Sequence, residues 1–290
     1  MPMDRVALLQ ALERDPSGAS IGLTERALPP GRIVGVSGAG PLYWVSEGAP
    51  GAADVAAARA GFAVTGLWPL LVDVGGSTTV VEGGAHVGHE RVFHWLGEGR
   101  PSNPADIDPE RWLAEQWQEL IAENEANDCF EPEERVSGLA PARTSWPGLA
   151  AADAPTSGSA ADADACADAM TQVLLGNDWL EQPRMALIPA ASGSDALIAA
   201  RCTLAEIWDV AGHAAVFRSW EQRFGARVIA LRSDTLFASV AAVPVQQSSA
   251  AHIACEHFAF APDNVLQNSD SFPEYVADLV DSKLWSFWWD

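Results

Sequence analysis

At 290 residues with 48% hydrophobic content, the chain is long enough to bury one large core or two ordinary ones, which excludes disorder along most of its length. Its 17 basic against 39 acidic side chains leave a formal net charge of −22, negative in residues 1–148, 149–168 and 169–290 alike. Such a surface repels nucleic acid and anionic lipid and favours encounter with a basic protein partner.

No apolar run approaches the roughly 20 residues of a membrane span, and Asp4, Glu13 and Asp15 stand where a secretory leader would be basic. A cytoplasmic protein is the expectation. The four cysteines, Cys129, Cys166, Cys202 and Cys255, are far apart and form no CxxC pair, as expected of thiols in a reducing compartment.

In chain order, residues 4–14 read as a short helix with Val6, Leu9 and Leu12 near one face. Residues 32–37 and 42–46 are β-rich runs around Gly38-Ala39-Gly40-Pro41, a hairpin-like pair. An alanine-rich helix over 52–60 and an apolar strand over 67–74 follow; Pro69 cannot donate to a ladder, which predicts a buried or edge strand. Asp108-Pro109 opens a helix that reaches about Asn124, with Leu113, Trp117, Leu120 and Ile121 as its apolar stripe and Trp112 on the flank. Glu115, Glu119 and Glu123 line its other side, each i, i+4 pair costing roughly 0.2–0.5 kcal/mol by repulsion, and are expected to face solvent.

Residues 150–168 repeat Ala and Asp and contain no aromatic or branched aliphatic side chain, which predicts a flexible linker over 149–168, its end starting a helix with Met170, Val173 and Leu174. Beyond it, residues 185–188 form a strand, Thr203 caps a helix that Gly212 interrupts, and Val216, Trp220 and Phe224 mark a helix that stops at Gly225. Strands over 226–231 and 235–243 follow. Ser248 or Ser249 caps the next helix, Ser271-Phe272-Pro273-Glu274 supplies a capping box, and residues 284–289 return as a last strand. The fold class expected is α+β, a mixed or antiparallel sheet packed with helices, in an N-terminal region (1–148) and a C-terminal domain (169–290) joined by the linker.

Several patterns touch on chemistry. His86, His89 and His94 sit in a glycine-rich stretch without a nearby cysteine, and no metal site is assigned there. The turn from Gly35 to Gly40 lacks both a P-loop lysine and a following helix. His252 and Glu256, one helical turn apart, match a divalent-ion geometry; Glu256, His257 and Asp263 form an acid/base group if all three face one cleft. The competing expectation is that Glu256 pairs with an arginine and His257 is a satisfied, half-buried histidine. Of the twelve tryptophans, Trp285 and Trp289 share one face of the last strand and Trp288 takes the other, which predicts a core face and a contact face.

The blocks RSWEQRFGARVIAL at 218–231, SVAAVP at 239–244, ACEHFAFAPDNVLQ at 254–267 and the closing WSFWWD together resemble a bacterial domain-of-unknown-function family, number 4253. TGLWPLL at 65–71 and WPGLA at 146–150 look like its longer actinobacterial members. Ala261 stands where a cysteine is common, and Asn268 where glycine is common. The resemblance implies a fold and no activity, and nominates Trp220, Glu221, Arg223, Asp234, Glu256, His257, Asp263, Gln267, Trp285 and Asp290. Of these, Trp220, Glu221, Arg223, Asp234, Gln267, Trp285 and Asp290, with Trp288, are the candidate binding residues, and Glu256, His257 and Asp263 the candidate catalytic ones. The function expected is a non-enzymatic interaction protein, of the immunity or antitoxin kind, whose acidic, aromatic surface masks a basic partner without a cofactor. The alternative is a small-molecule or metal-dependent enzyme using Glu256, His257 and Asp263.

Overall fold

The computed structural model describes residues 5–15, 28–36, 40–74, 103–127, 145–152, 160–200, 210–232 and 234–290. Their strands are β1 (Gly31–Val36), β2 (Gly40–Ser46), β3 (Leu67–Asp73), β4 (Pro183–Pro189), β5 (Arg227–Leu231), β6 (Thr235–Ser239) and β7 (Leu284–Trp288). They make one mixed sheet in the order β1-β2-β4-β3-β5-β6-β7. β1 and β2 form the expected antiparallel pair, β4 runs antiparallel to both β2 and β3, and β3 runs parallel to β5.

Helices cover both faces. α1 (Arg5–Arg14), α2 (Ala52–Ala60), α3 (Phe62–Thr65), α4 (Pro109–Asn127), α5 (Ala160–Leu175), α6 (Gly193–Ala200), α7 (Val210–Phe224), α8 (Gln247–Phe260), α9 (Asp263–Leu266) and α10 (Phe272–Leu279) are the described ones. Strand alternation divides the core in two. Met185 and Leu187 of β4, with Trp44 and Phe237, meet Leu9, Leu12, Val55, Ala167 and Leu174 of α1, α2 and α5 on one side. Ala186 and Ile188, with Tyr43, Trp68 and Phe287, meet Trp117, Trp220, Phe258 and Val276 of α4, α7, α8 and α10 on the other. The α+β class is as expected.

The division into two regions is not. β4 inserts between β2 and β3, so strands from both sides of residue 149 build one sheet over shared cores. Residues 160–168 of the expected linker are the first half of α5; residues 153–159 lie outside the described residues. The reason is physical. Alanine is the strongest helix former and the thinnest side chain that still packs, so Ala163 and Ala167 bury against the fold. The aspartates face arginines: Asp168 pairs with Arg59 at 3.0 Å and Asp164 with Arg227 at 3.0 Å. Arg59 is buried, and that desolvation pulls its pKa down from the ordinary arginine value.

One smaller expectation is met and two change. β3 is the buried strand expected, central in the sheet with all seven residues buried. It tolerates Pro69 because the parallel ladder to β5 begins beyond it, at Leu71, while the Val228 carbonyl takes the indole N–H of Trp68 at 3.2 Å. Gly212 lies buried inside α7 rather than breaking it; packing outweighs the roughly 1 kcal/mol propensity cost. The next helix starts after Gln246, without a serine side chain as its cap. Thr203, Leu204, Ile207, Trp208 and the three clustered histidines lie outside the described residues. Asp108 caps α4 as expected, accepting from the Glu110 amide at 3.0 Å; at α10 Ser271 accepts from the Glu274 amide at 3.3 Å, the serine half of the expected capping box.

Candidate functional site

The stripe that makes α7 amphipathic points Trp220 into the core and sets Arg223 at its rim. From α8, Glu256 and His257 reach the same place, and both are fully buried. The Glu256 carboxylate accepts four hydrogen bonds. Arg223 gives two, Nη1 to Oε1 at 2.7 Å and Nη2 to Oε2 at 2.6 Å. The Trp220 indole gives a third at 2.7 Å, and the main-chain N–H of Ala150 a fourth at 2.6 Å. A bidentate guanidinium with two further donors is the arrangement that lets a carboxylate stay charged away from water. Arg223 also donates to the Ala150 carbonyl at 2.7 Å and to Ser219 at 2.9 Å.

His257 sits beside this ion pair and is not part of it. Its Nδ1 lies 2.9 Å from the Tyr275 hydroxyl, whose oxygen also accepts from Asn264 at 3.5 Å. Nδ1 and the phenol share one hydrogen bond, while the buried Nε2 has no hydrogen-bond partner among the described residues. The ring lies edge-to-face on Trp285 at 4.4 Å and on Phe287 at 4.8 Å. Burial first, and then the Arg223 charge, push its pKa down to about 3. With its pKa so lowered, the neutral imidazole is the favoured form near pH 7. Burial likewise raises the Tyr275 phenol and pushes the Cys255 thiol up to about 12, the neighbouring Glu256 adding to the latter.

Asp263 does not join the group. Its carboxylate accepts from Gln267 at 3.1 Å and from the main-chain N–H of Asp290 at 3.2 Å. Glu221 faces the start of α6, accepting from the Ser194 amide at 3.0 Å and its hydroxyl at 2.9 Å; burial raises its pKa against those bonds. Gly193 is pinned there, since a Cβ would come within 2.7 Å of the Trp68 ring and 2.8 Å of Glu221. Asp234 accepts from its neighbour Thr235 at 2.8 Å, and its carbonyl accepts from the Trp289 amide at 3.0 Å. His252 Nε2 lies 3.0 Å from the Gly148 carbonyl, two residues before the Ala150 amide that Glu256 accepts from. Among the described residues no three His, Cys, Asp or Glu side chains are grouped to hold a metal ion.

Trp285, Phe287 and Trp289 are buried while Ser286 is exposed and Trp288 half-buried, the two-faced strand expected. The residue that sequence reasoning missed is Asn264. It is buried; its amide donates to the Ser286 carbonyl, and its oxygen accepts from the Trp288 amide at 2.9 Å. One side chain thus satisfies two backbone groups on the outer edge of β7, in the way a neighbouring strand would. A lone Asn after Pro-Asp carries no sequence signal for this.

Trp220, Arg223, Glu256, His257 and Trp285 come from the sequence blocks quoted above, and the structure brings them into one cluster. Residues 184–290 match the domain of unknown function DUF4253. No curated protein and no solved structure matches the chain. The side chains of the cluster all lie within the DUF4253 match, whereas Ala150 and β3, which complete the cluster and the sheet, come from outside it.

Proposed function

We propose that this is a non-enzymatic, cytoplasmic interaction protein, of the immunity or antitoxin kind, whose acidic surface covers a basic protein. The observation that carries the reading is the row Glu115, Glu119 and Glu123, exposed on the outer side of α4 in a chain of net charge −22. Arg111 answers only the first of them within the helix, at 2.8 Å from Glu115. The saturation of Glu256 by four internal donors and the neutrality of His257 support it further, because neither group is left to act on a substrate. The half-buried thiols Cys166 and Cys255 fit a reducing compartment, and no described helix is long and apolar enough to cross a membrane.

The test is capture from native lysate at low ionic strength, repeated with Glu115→Gln, Glu119→Gln and Glu123→Gln combined. A stoichiometric basic partner is expected, released by about 0.5 M salt as screening shortens the Debye length and held less well by the triple variant. No stoichiometric partner, or one indifferent to salt and to the variant, overturns the reading. The enzyme alternative would be favoured instead by a metabolite or metal that stabilises the wild type but not Glu256→Ala.

A further inference from the structure

Residues 145–152 cross the molecule without joining a helix or a strand. Among the described residues their main chain makes no hydrogen bond to another backbone group. Side chains hold it instead: His252 at the Gly148 carbonyl, Glu256 at the Ala150 N–H and Arg223 at the Ala150 carbonyl. The two halves of one ion pair thus read both polar groups of a single residue. Trp146 anchors the segment edge-to-face on Trp117 at 5.6 Å, Leu149 packs against the core, and Ala150, 2% exposed, leaves room only for a small side chain. Gly148, at φ 86°, makes the bend between anchor and grip.

A segment held by an aromatic anchor and by side chains reading its main chain is held as a bound peptide is. The reading groups Arg223, His252 and Glu256 lie within the DUF4253 match; the segment they hold does not. We propose that the cleft between α4, α7 and α8 is a peptide-binding site that this chain fills with its own residues 145–152. It takes in trans an uncharged segment of the pattern Trp-Pro-Gly-apolar-small, bent at the glycine. The occupant is uncharged because Arg223 and Glu256 neutralise each other at the floor, so a buried charge on the ligand finds no partner. This goes beyond the acidic-surface reading and uses a different part of the molecule.

The experiment opens the cleft in the full chain with Trp146→Ala and Gly148→Val, removing the anchor and placing a β-branched residue where φ is positive. A fluorescent peptide Ser-Trp-Pro-Gly-Leu-Ala-Ala-Ala, the sequence of residues 145–152, is then titrated by anisotropy. Saturable binding to the opened variant is expected, weaker by about tenfold or more in the wild type, where the chain's own segment competes. Methylating the peptide nitrogen that corresponds to Ala150 should abolish it. No saturable binding by an opened variant with native circular dichroism overturns the proposal. If that variant does not fold, hydrogen exchange on the wild type decides. The Ala150 amide should exchange through local opening while the amides of α8 stay protected, and exchange only on global unfolding overturns the proposal.

Discussion

Arg223→Met keeps most of the side chain's apolar stem and deletes the guanidinium facing Glu256. Glu256 is fully buried and Arg223 is 19% exposed, so the carboxylate left behind cannot recover its lost partner from water. At an effective dielectric of about 20, opposite charges roughly 4 Å apart attract by about 4 kcal/mol, in line with the 3–5 kcal/mol seen when one half of a buried pair is removed. We expect a loss of about 3–4 kcal/mol. Glu256→Gln preserves volume but turns an amide NH2 toward donors that require an acceptor, at about 2–3 kcal/mol. Arg223→Met with Glu256→Gln should cost less than the two single losses together by about 1–3 kcal/mol, because neither charge is stranded. Urea unfolding followed by tryptophan fluorescence reads all three. An Arg223→Met protein within about 1 kcal/mol of wild type, or strict additivity in the double variant, would refute a desolvated pair.

Three further outcomes are expected. Between about pH 6.5 and 4 the unfolded chain takes up a proton at His257 that the native state refuses, so stability falls as pH is lowered, by up to about 1.4 kcal/mol per unit. His257→Gln should flatten that part of the urea-midpoint profile and leave the region above pH 7 unchanged. Gly193→Ala forces a Cβ between the Trp68 ring and Glu221 and should cost about 1–3 kcal/mol, read as a lowered Tm. Asn264→Ala strands the Ser286 carbonyl and the Trp288 amide, at about 2 kcal/mol, and should speed hydrogen exchange at Trp288.

What the sequence made legible was local. The serine cap at Ser271, the stripe Val216, Trp220 and Phe224, the stop at Gly225 and the alternation of the closing strand need only neighbours a few residues away. The candidate cluster was legible as residue types and not as geometry. Glu256 meets Arg223 33 positions away and Ala150 106 positions away, and only one partner of each pair was singled out by its own surroundings. The Ala/Asp segment misled for a related reason. A composition without large side chains suits a solvated linker and a thin helix equally well; what separates them is Arg59 and Arg227, which lie in α2 and β5. Pro69 left buried and edge positions open; the buried one holds because β5 joins β3 only past the proline.

The insertion of β4 between β2 and β3 bears on how the chain folds. Leu67 must find Pro189, and closing that loop of about 120 residues costs roughly 4 kcal/mol of chain entropy before the central ladder returns anything. No tight turn supplies a shortcut: β3 comes before β4 among the described strands, but about 110 residues separate Asp73 from its partner Pro183. Refolding is therefore expected on the slow side, milliseconds to seconds, as for other sheets built from distant pairings. Until β4 arrives, β2 and β3 present bare edges to other copies of the chain. Aggregation during that interval should rise steeply with protein concentration.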